Sequence, residues 1–264
     1  MHLKRLLTLF CVTVCTFSSI SYSYAQNDIN QVDSYNRRQG RWVRTYPNGK
    51  TMYEAYFVDS KPVGELKRYY QNGKHKAIQR FVQGTDSCYT QLFTEDGLMA
   101  AQGLFINEKK EDSWQYYNAN SKVILTETYS AGILNGQSSR FYNDGALLEV
   151  SSWKHGVQDG VYSKYYENGS LNLEMVYKDG VPHGKARYYY PNGRIRLEGV
   201  YKNGLRDGKW ALFSEDGKLQ KIATYKDGIS DSEDKDFIEE TKWLNSLESK
   251  KGTIPEPDES SIGR

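Results

Sequence analysis

Apolar and polar residues alternate along most of this chain in a pattern that repeats every 24 residues. Steps of 24 from Gly40 meet a glycine in six of eight copies, the exceptions being Cys88 and Asp112. We number the positions of each copy from this residue, as position 0. A fixed period of this length indicates a repeat architecture, in which no single unit buries enough surface to be stable alone. The pattern predicts a repeat array over residues 40–231.

Each copy divides into two strand-like segments. Position 5 is aromatic in seven copies and position 17 in all eight, and an Asn–Gly or Asp–Gly pair stands between them at positions 8 and 9 in seven copies. Such pairs suit a type I′ hairpin, which needs positive φ at both central residues. A second glycine turn follows at position 20 in six copies. We therefore predict an all-β, elongated antiparallel meander of eight 24-residue two-strand units.

The aromatic residues divide into a predicted core and a candidate binding surface. Positions 5 and 17 are expected to form the core, and positions 2, 4 and 6 alternate with position 5, so they face the other side of the sheet. Exposed Tyr and Trp mixed with Arg are typical of interaction surfaces. The candidate partner-binding residues, centred on copies six and seven, are Tyr162, Lys164, Tyr166, Tyr188, Tyr190, Trp42, Arg44, Tyr46, Arg68 and Tyr70.

Two of the later copies resemble a known family. The segments 160–169, GVYSKYYENG, and 184–193, GKARYYYPNG, are each followed by a Tyr-Lys-Asp/Asn-Gly turn and resemble the bacterial variant of the MORN (membrane occupation and recognition nexus) repeat. The resemblance implies an elongated β-sheet that scaffolds or binds a protein or a lipid and catalyses no reaction. Many bacterial members also carry an antitoxin-like label.

The segments outside the array have distinct patterns. Residues 1–25 read as a secretory signal, with Lys4 and Arg5 before an apolar stretch and a small-x-small site ending at Ala25. The polar residues 26–39 are expected to be a flexible lead-in. Residues 232–252 have the spacing of an amphipathic helix, which would cap the last strand or, alternatively, bind a partner. The proline-containing acidic tail, residues 253–264, is expected to be disordered.

Composition and charge narrow the function. Hydrophobic residues make up 38% of the chain and Tyr alone contributes 22 residues, which suits many half-buried surfaces better than one thick core. Removal of residues 1–25 leaves 33 basic and 33 acidic residues. A neutral mature chain does not favour nucleic-acid binding. We expect an extracytoplasmic protein with no transmembrane segment in the mature chain.

The sequence lacks the motifs of common catalytic sites. It has no nucleophile elbow, phosphate-binding loop or zinc-protease motif, and its acidic pairs fall at turns. Cys88 is the one cysteine beyond the signal and is expected to be buried, the alternative being an exposed thiol. We therefore expect no enzyme activity, no cofactor and no metal. A protein partner is favoured, with lipid or glycan possible, and a carbohydrate- or cell-wall-binding module is the alternative.

Overall fold

The computed structural model describes residues 29–231, which form one antiparallel sheet of 18 strands. Each strand pairs with its neighbour in the sequence, from β1 with β2 to β17 with β18. The strands are β1 Gln31–Val32, β2 Arg38–Thr45, β3 Thr51–Val58, β4 Lys61–Tyr69, β5 His75–Phe81, β6 Ser87–Phe93, β7 Met99–Ile106, β8 Lys109–Tyr117, β9 Val123–Ser130, β10 Ile133–Phe141, β11 Leu147–Lys154, β12 Val157–Tyr165, β13 Leu171–Lys178, β14 Val181–Tyr189, β15 Ile195–Lys202, β16 Leu205–Phe213, β17 Leu219–Lys226 and β18 Ile229–Ser230.

This topology confirms the predicted all-β meander, with β2 to β17 supplying two strands to each of eight copies. Three predictions concern residues outside the described range: the signal over 1–25, the capping helix over 232–252 and the disordered tail over 253–264. No helix able to cross a membrane occurs within residues 29–231.

The lead-in predicted to be flexible over residues 26–39 is structured from residue 29 onward. Strand β1 pairs with the start of β2, and the Asn30 amide donates to the Arg41 carbonyl at 2.9 Å. The Asp33 carboxylate accepts hydrogen bonds from the Tyr35 and Arg37 amides, at 2.9 and 3.0 Å. These polar residues order themselves by bonding backbone groups, and they cover part of the edge that β2 would otherwise expose.

The two kinds of hairpin differ from the predicted turn types. At the Asn–Gly pairs only the glycine has positive φ, as in Gly49 at 79°, and the Tyr46 amide donates to the Lys50 carbonyl. This is a type I turn followed by a glycine bulge. The type I′ geometry occurs instead in the turns that join successive copies, for example Asp179 and Gly180 at φ 51° and 83°. The type I′ prediction for positions 8 and 9 is therefore wrong.

Position 0 is glycine because most copies carry a bulge there. Ser151 pairs with Tyr162 and Trp153 with Gln158, so two residues of β11 span the same length as four of β12. Gly160, within this bulge, has φ 113°, and a Cβ built on it would lie 2.9 Å from the Cβ of Ser152. Both features disfavour a larger side chain at Gly160, whereas the fourth copy accommodates Asp112 at position 0 with φ 60°. The third copy has no such bulge at Cys88, which pairs regularly with Phe81 after a longer loop over residues 82–86.

The core lies on one face of the sheet, which we call face A, and face B is the opposite side. Position 0 pairs with position 17, as Gly160 does with Tyr177, so positions 2 and 4 share face A with positions 13, 15 and 17. Phe57, Phe105 and Tyr177 at position 17 are buried, which confirms that part of the predicted core. The position 5 aromatics lie half-buried on face B, so they do not form one ladder with position 17.

Face A holds three clusters of buried side chains rather than a continuous core. They extend over residues 55–66, 77–129 and 162–225. The fifth copy separates the last two with polar groups, including the ion pair of Arg140 with Glu149 at 3.6 Å. No second layer of secondary structure occurs within residues 29–231, so these side chains are covered by neighbours on the same face.

A recurring trio of residues accounts for the deepest part of this packing. Trp210 is fully buried, its indole donates to the Val200 carbonyl at 3.2 Å, and the Arg206 guanidinium lies 4.4 Å from its ring centroid. A Cβ built on Gly199 would come within 2.2 Å of the Trp210 ring. The same trio recurs as Gly103, Lys110 and Trp114.

The cation of the trio occurs only where position 2 is Trp. Arg38, Lys110 and Arg206 stand four residues before Trp42, Trp114 and Trp210, and each lies over the ring of its Trp. In the other five copies the same place holds Pro62, Asp86, Leu134, Gln158 and Pro182. A cation over a desolvated indole is stabilising, and the long side chain also covers the ring that no second layer covers.

Gly199 leaves room for the large Trp210 side chain, and at the equivalent positions one copy earlier Met175 lies beside the small Ala186. We predict that the Gly–Trp combination can be replaced by the Met–Ala combination. Gly199→Met alone should strongly destabilise the fold through overlap, and Trp210→Ala alone should cost about 3–5 kcal/mol through the cavity it leaves. The double variant should be more stable than either single variant in urea unfolding. Additive losses would contradict the size match.

Candidate functional site

The candidate binding residues of copies six and seven do not form an exposed patch. Tyr162 and Tyr188 are only 3% and 1% exposed, within the largest core cluster. Lys164 is half-buried beside Leu173 and Glu149 on the neighbouring strands. These positions pair with positions 13 and 15 of face A, which is the core face. The predicted exposure of this patch is therefore wrong.

The candidate tyrosines at position 6 connect successive copies. In Tyr46, Tyr70, Tyr166 and Tyr190 the hydroxyl donates to the backbone carbonyl of the residue 23 further along, at 2.7–2.9 Å. Position 8 supports the same connection, since the Asn168 side-chain amide donates to the Pro191 carbonyl at 3.2 Å. Hydrogen bonds between successive hairpins thus account for tyrosine at this position, and no binding to another molecule is needed to explain it.

The remaining candidates lie in the first two copies. The Trp42 indole donates to the Gln39 carbonyl at 3.1 Å and packs edge-on against Phe57. Arg44 is exposed and Arg68 is half-buried on face A. Both arginines line a cleft that extends across β2 to β7, so of the ten candidates these two and Tyr46 contribute to its wall.

The cleft has a volume of about 1190 Å³ and a lining that is basic above an apolar floor. Phe57, Leu66, Phe81 and Phe105 supply the floor. Five basic side chains face two acidic ones around it: Arg38, Arg44, Lys61, Arg68 and Lys76 against Asp86 and Glu108. Lys61 pairs with Asp86 at 3.2 Å on the rim, which leaves the interior positive. The sequence interpretation missed Tyr53, Lys61 and Lys76 as site residues.

Arg44, Tyr53 and Arg68 form one row across the cleft. Tyr53 pairs with Arg44 on β2 and with Arg68 on β4, so the three side chains share face A on adjacent strands. Burial lowers the pKa of the Arg68 guanidinium, with Tyr53 acting in the opposite direction. A cation that has lost part of its hydration gains more from an anion than a fully exposed one does.

Cys88 lies in the floor of the cleft and is buried, as predicted. Its sulfur lies 3.7 Å from the Gln79 amide nitrogen and 3.6 Å from the Thr90 hydroxyl. Burial raises the pKa of the thiol, which opposes formation of the reactive thiolate.

Among residues 29–231 no three His, Cys, Asp or Glu side chains are grouped as metal ligands would be. The arrangement is suited to binding.

With the strands and the cleft in place, comparison with known families is informative. The model of the MORN repeat variant matches residues 62–83, 158–179, 182–203 and 206–227. The chain carries MORN-variant repeats. Each matched segment corresponds to one hairpin, β4–β5, β12–β13, β14–β15 or β16–β17, and the copies between them continue the same sheet.

Other comparisons add little to the MORN assignment. No curated protein matches the sequence. A solved structure titled "Crystal Structure of TarM" shares 18% identity over 38% of this chain, with a TM-score of 0.27. The aligned part spans 20% of that longer chain. A similarity this weak carries no inference about the MORN array described here.

We predict that the position 6 tyrosines stabilise the MORN array through their hydroxyl groups. Tyr166→Phe and Tyr190→Phe should each lower the free energy of unfolding by about 1 kcal/mol, because each removes one hydrogen bond and leaves a carbonyl unsatisfied. Chemical denaturation measures the effect. Tyr89→Phe is the control, since that side chain is 59% exposed and its hydroxyl bonds no residue within 29–231. Equal stability of all three variants would contradict this role.

Proposed function

We propose that this protein is an exported, non-enzymatic binding module that holds a partner protein in the cleft of its first copies. The observation that carries the proposal is the cleft itself, where basic side chains surround an apolar floor on the face that is closed by core packing in copies six to eight. Apolar surface gives affinity and charge gives specificity in protein interfaces. MORN repeats are a suitable scaffold for such a surface.

The lining favours a protein over a glycan. Sugar binding by stacking needs accessible ring faces, whereas Phe57 and Phe105 are only 2% and 7% exposed. The Arg38 guanidinium also covers the Phe57 ring, 4.1 Å from its centroid. A peptide can instead contact Phe81, which is only partly buried, and the basic residues around it can pair with the acidic groups of the peptide.

The proposal of a non-enzymatic role is supported by the chemistry of the side chains. The Cys88 thiol has a raised pKa, and the acidic pair Glu215–Asp216 serves a turn in which Asp216 accepts a hydrogen bond from Ser214. Turn geometry thus accounts for an acidic pair that resembles catalytic carboxylates.

The cleft is tested by affinity capture from an extracytoplasmic extract with quantitative mass spectrometry. The variant Arg44→Glu/Lys61→Glu reverses two cleft charges and should reduce capture of the partner about tenfold or more, since like charges repel the partner. Lys185→Glu/Lys209→Glu is the matched control on face B. Each double variant also breaks one exposed ion pair, Lys61–Asp86 or Lys185–Glu198.

Two outcomes would change this proposal. If wild type and both double variants capture the same proteins to the same extent, the cleft is not the binding site. Vesicles containing anionic lipid form a parallel arm. Sedimentation with these vesicles that is lost only in the cleft variant, without a captured protein, would make lipid the partner.

Export is the second part of the proposal, and it is supported by the signal pattern of residues 1–25. The exported protein should begin at Gln26, which its intact mass measures directly. Replacing Ala25 with Arg should block cleavage at this site. Recovery of the full-length chain from the cytoplasmic fraction alone would overturn the localisation.

A further inference from the structure

Position 15 of the repeat lies on face A, two residues before the aromatic position 17 of the same strand. Its residue is polar in three copies, namely Gln79, Glu127 and Ser151, and small or apolar in the other five, namely Ala55, Gly103, Met175, Gly199 and Ala223. In the fourth and fifth copies the polar side chain accepts a hydrogen bond from the aromatic residue at position 17. The Tyr129 hydroxyl donates to Glu127 Oε2 at 2.7 Å, and the Trp153 indole donates to Ser151 Oγ at 2.8 Å.

The second copy has the polar residue but lacks this donor. Position 17 is Phe81, whose ring has no O–H or N–H group and cannot donate to Gln79. The Gln79 amide nitrogen lies 3.7 Å from the Cys88 sulfur, which is a weak acceptor. The amide oxygen Oε1 of Gln79 accepts no hydrogen bond from any residue within 29–231. The second copy thus presents an acceptor for which two other copies supply an aromatic donor.

Gln79 places this acceptor in the floor of the cleft. It pairs with Leu66 and Thr90 on the neighbouring strands, and it lines the cleft together with Phe81. Gln79 is only 7% exposed, whereas the Phe81 ring is partly exposed. A buried amide oxygen without a hydrogen bond costs free energy, and a bound donor would recover it. An apolar ring and a largely desolvated acceptor therefore lie side by side in the cleft.

We propose that the cleft binds a tyrosine side chain of the partner, whose hydroxyl donates to Gln79 Oε1 and whose ring packs against Phe81. This inference rests on the proposed function and specifies the group that the cleft selects. Tyrosine is favoured over tryptophan because Gln79 has the length of Glu127, which accepts from a tyrosine, whereas the tryptophan donates to the shorter Ser151. The basic lining of the cleft disfavours a lysine or arginine donor. Gln79 is the specificity-determining residue of this site.

The probes are N-acetyl-tyrosinamide and N-acetyl-phenylalaninamide, which differ only in the phenol hydroxyl. Each compound is titrated into the ¹⁵N-labelled protein, and NMR spectra follow the backbone and side-chain amide signals of the cleft. The side-chain signal of Gln79 is assigned from its absence in Gln79→Met. The tyrosine compound should shift this signal and bind about fivefold more tightly than the phenylalanine compound, which is the effect of one hydrogen bond between neutral groups.

The first variant removes the acceptor. Gln79→Met introduces the residue that the sixth copy buries at this position as Met175, so it should keep the melting temperature and abolish the preference for the tyrosine compound. If this variant fails to fold, Gln79→Ala replaces it, with the residue of the first copy, Ala55. Gln91→Met is the matched control on face B, where Gln91 accepts a hydrogen bond from Arg80, and it should retain the preference.

The second variant supplies the donor within the chain. Phe81→Tyr gives the second copy the hydroxyl that Tyr129 gives to Glu127 in the fourth copy. It should abolish the preference for the tyrosine compound, because Gln79 Oε1 is then occupied, and the melting temperature should be kept or raised. A residue with a purely structural role would change stability without changing the ratio of the two affinities.

Two results would overturn the proposal. One is the absence of a preference for the tyrosine compound in the wild-type protein, whether both compounds bind equally or neither binds. The other is a preference that persists in Gln79→Met or in Phe81→Tyr. If a protein is nevertheless captured through the cleft, the proposed function stands and only the tyrosine site is rejected. If the preference is observed but no captured protein depends on the cleft, the tyrosine site stands and the proposed function is rejected.

Discussion

The whole structure depends on how a sheet with a single described layer covers its own aromatic side chains. Residues 29–231 supply no helix or second sheet, yet Trp114 and Trp210 are fully buried. Each ring must therefore be covered by side chains of adjacent strands, and both rings lie beside a bulge of the kind found in most copies. Glycine at position 0 permits this bulge because it tolerates positive φ and close approach. The 24-residue period is the spacing of these bulges as much as of the strands.

Much of the fold follows from the sequence, because period, turn pairs and aromatic positions all repeat. The faces were assigned wrongly, although counting outward from Asn168–Gly169 pairs Gly160 with Tyr177 and so separates position 17 from position 5. The Asn–Gly pairs form type I turns with a glycine bulge, and the type I′ turns join successive copies, because the length of the loop decides the turn type together with the residue pair. Only the register of two successive copies brings Arg44, Tyr53 and Arg68 together, and no single copy contains that row. The repeat pattern alone could therefore not predict the cleft.

The eight copies share one backbone plan but use face A in different ways. Copies six to eight fill it with Tyr, Leu, Met and Trp, and the fifth copy crosses it with charged and hydroxyl side chains. In the first copies, face A contains the cleft, which is lined by arginine and lysine side chains. A repeat scaffold can thus place a binding site in one part while another part maintains stability.

The trio of Gly199, Arg206 and Trp210 also bears on how such an array can lengthen or shorten. Its members belong to two successive copies, since Gly199 and Arg206 precede position 0 of the eighth copy and Trp210 follows it. A duplication with breakpoints at Gly208 would separate the indole from the two residues that accommodate it. Breakpoints at the Asn–Gly hairpins would carry all three together. The unit that genetic recombination can move without a steric conflict is therefore the second strand of one copy joined to the first strand of the next.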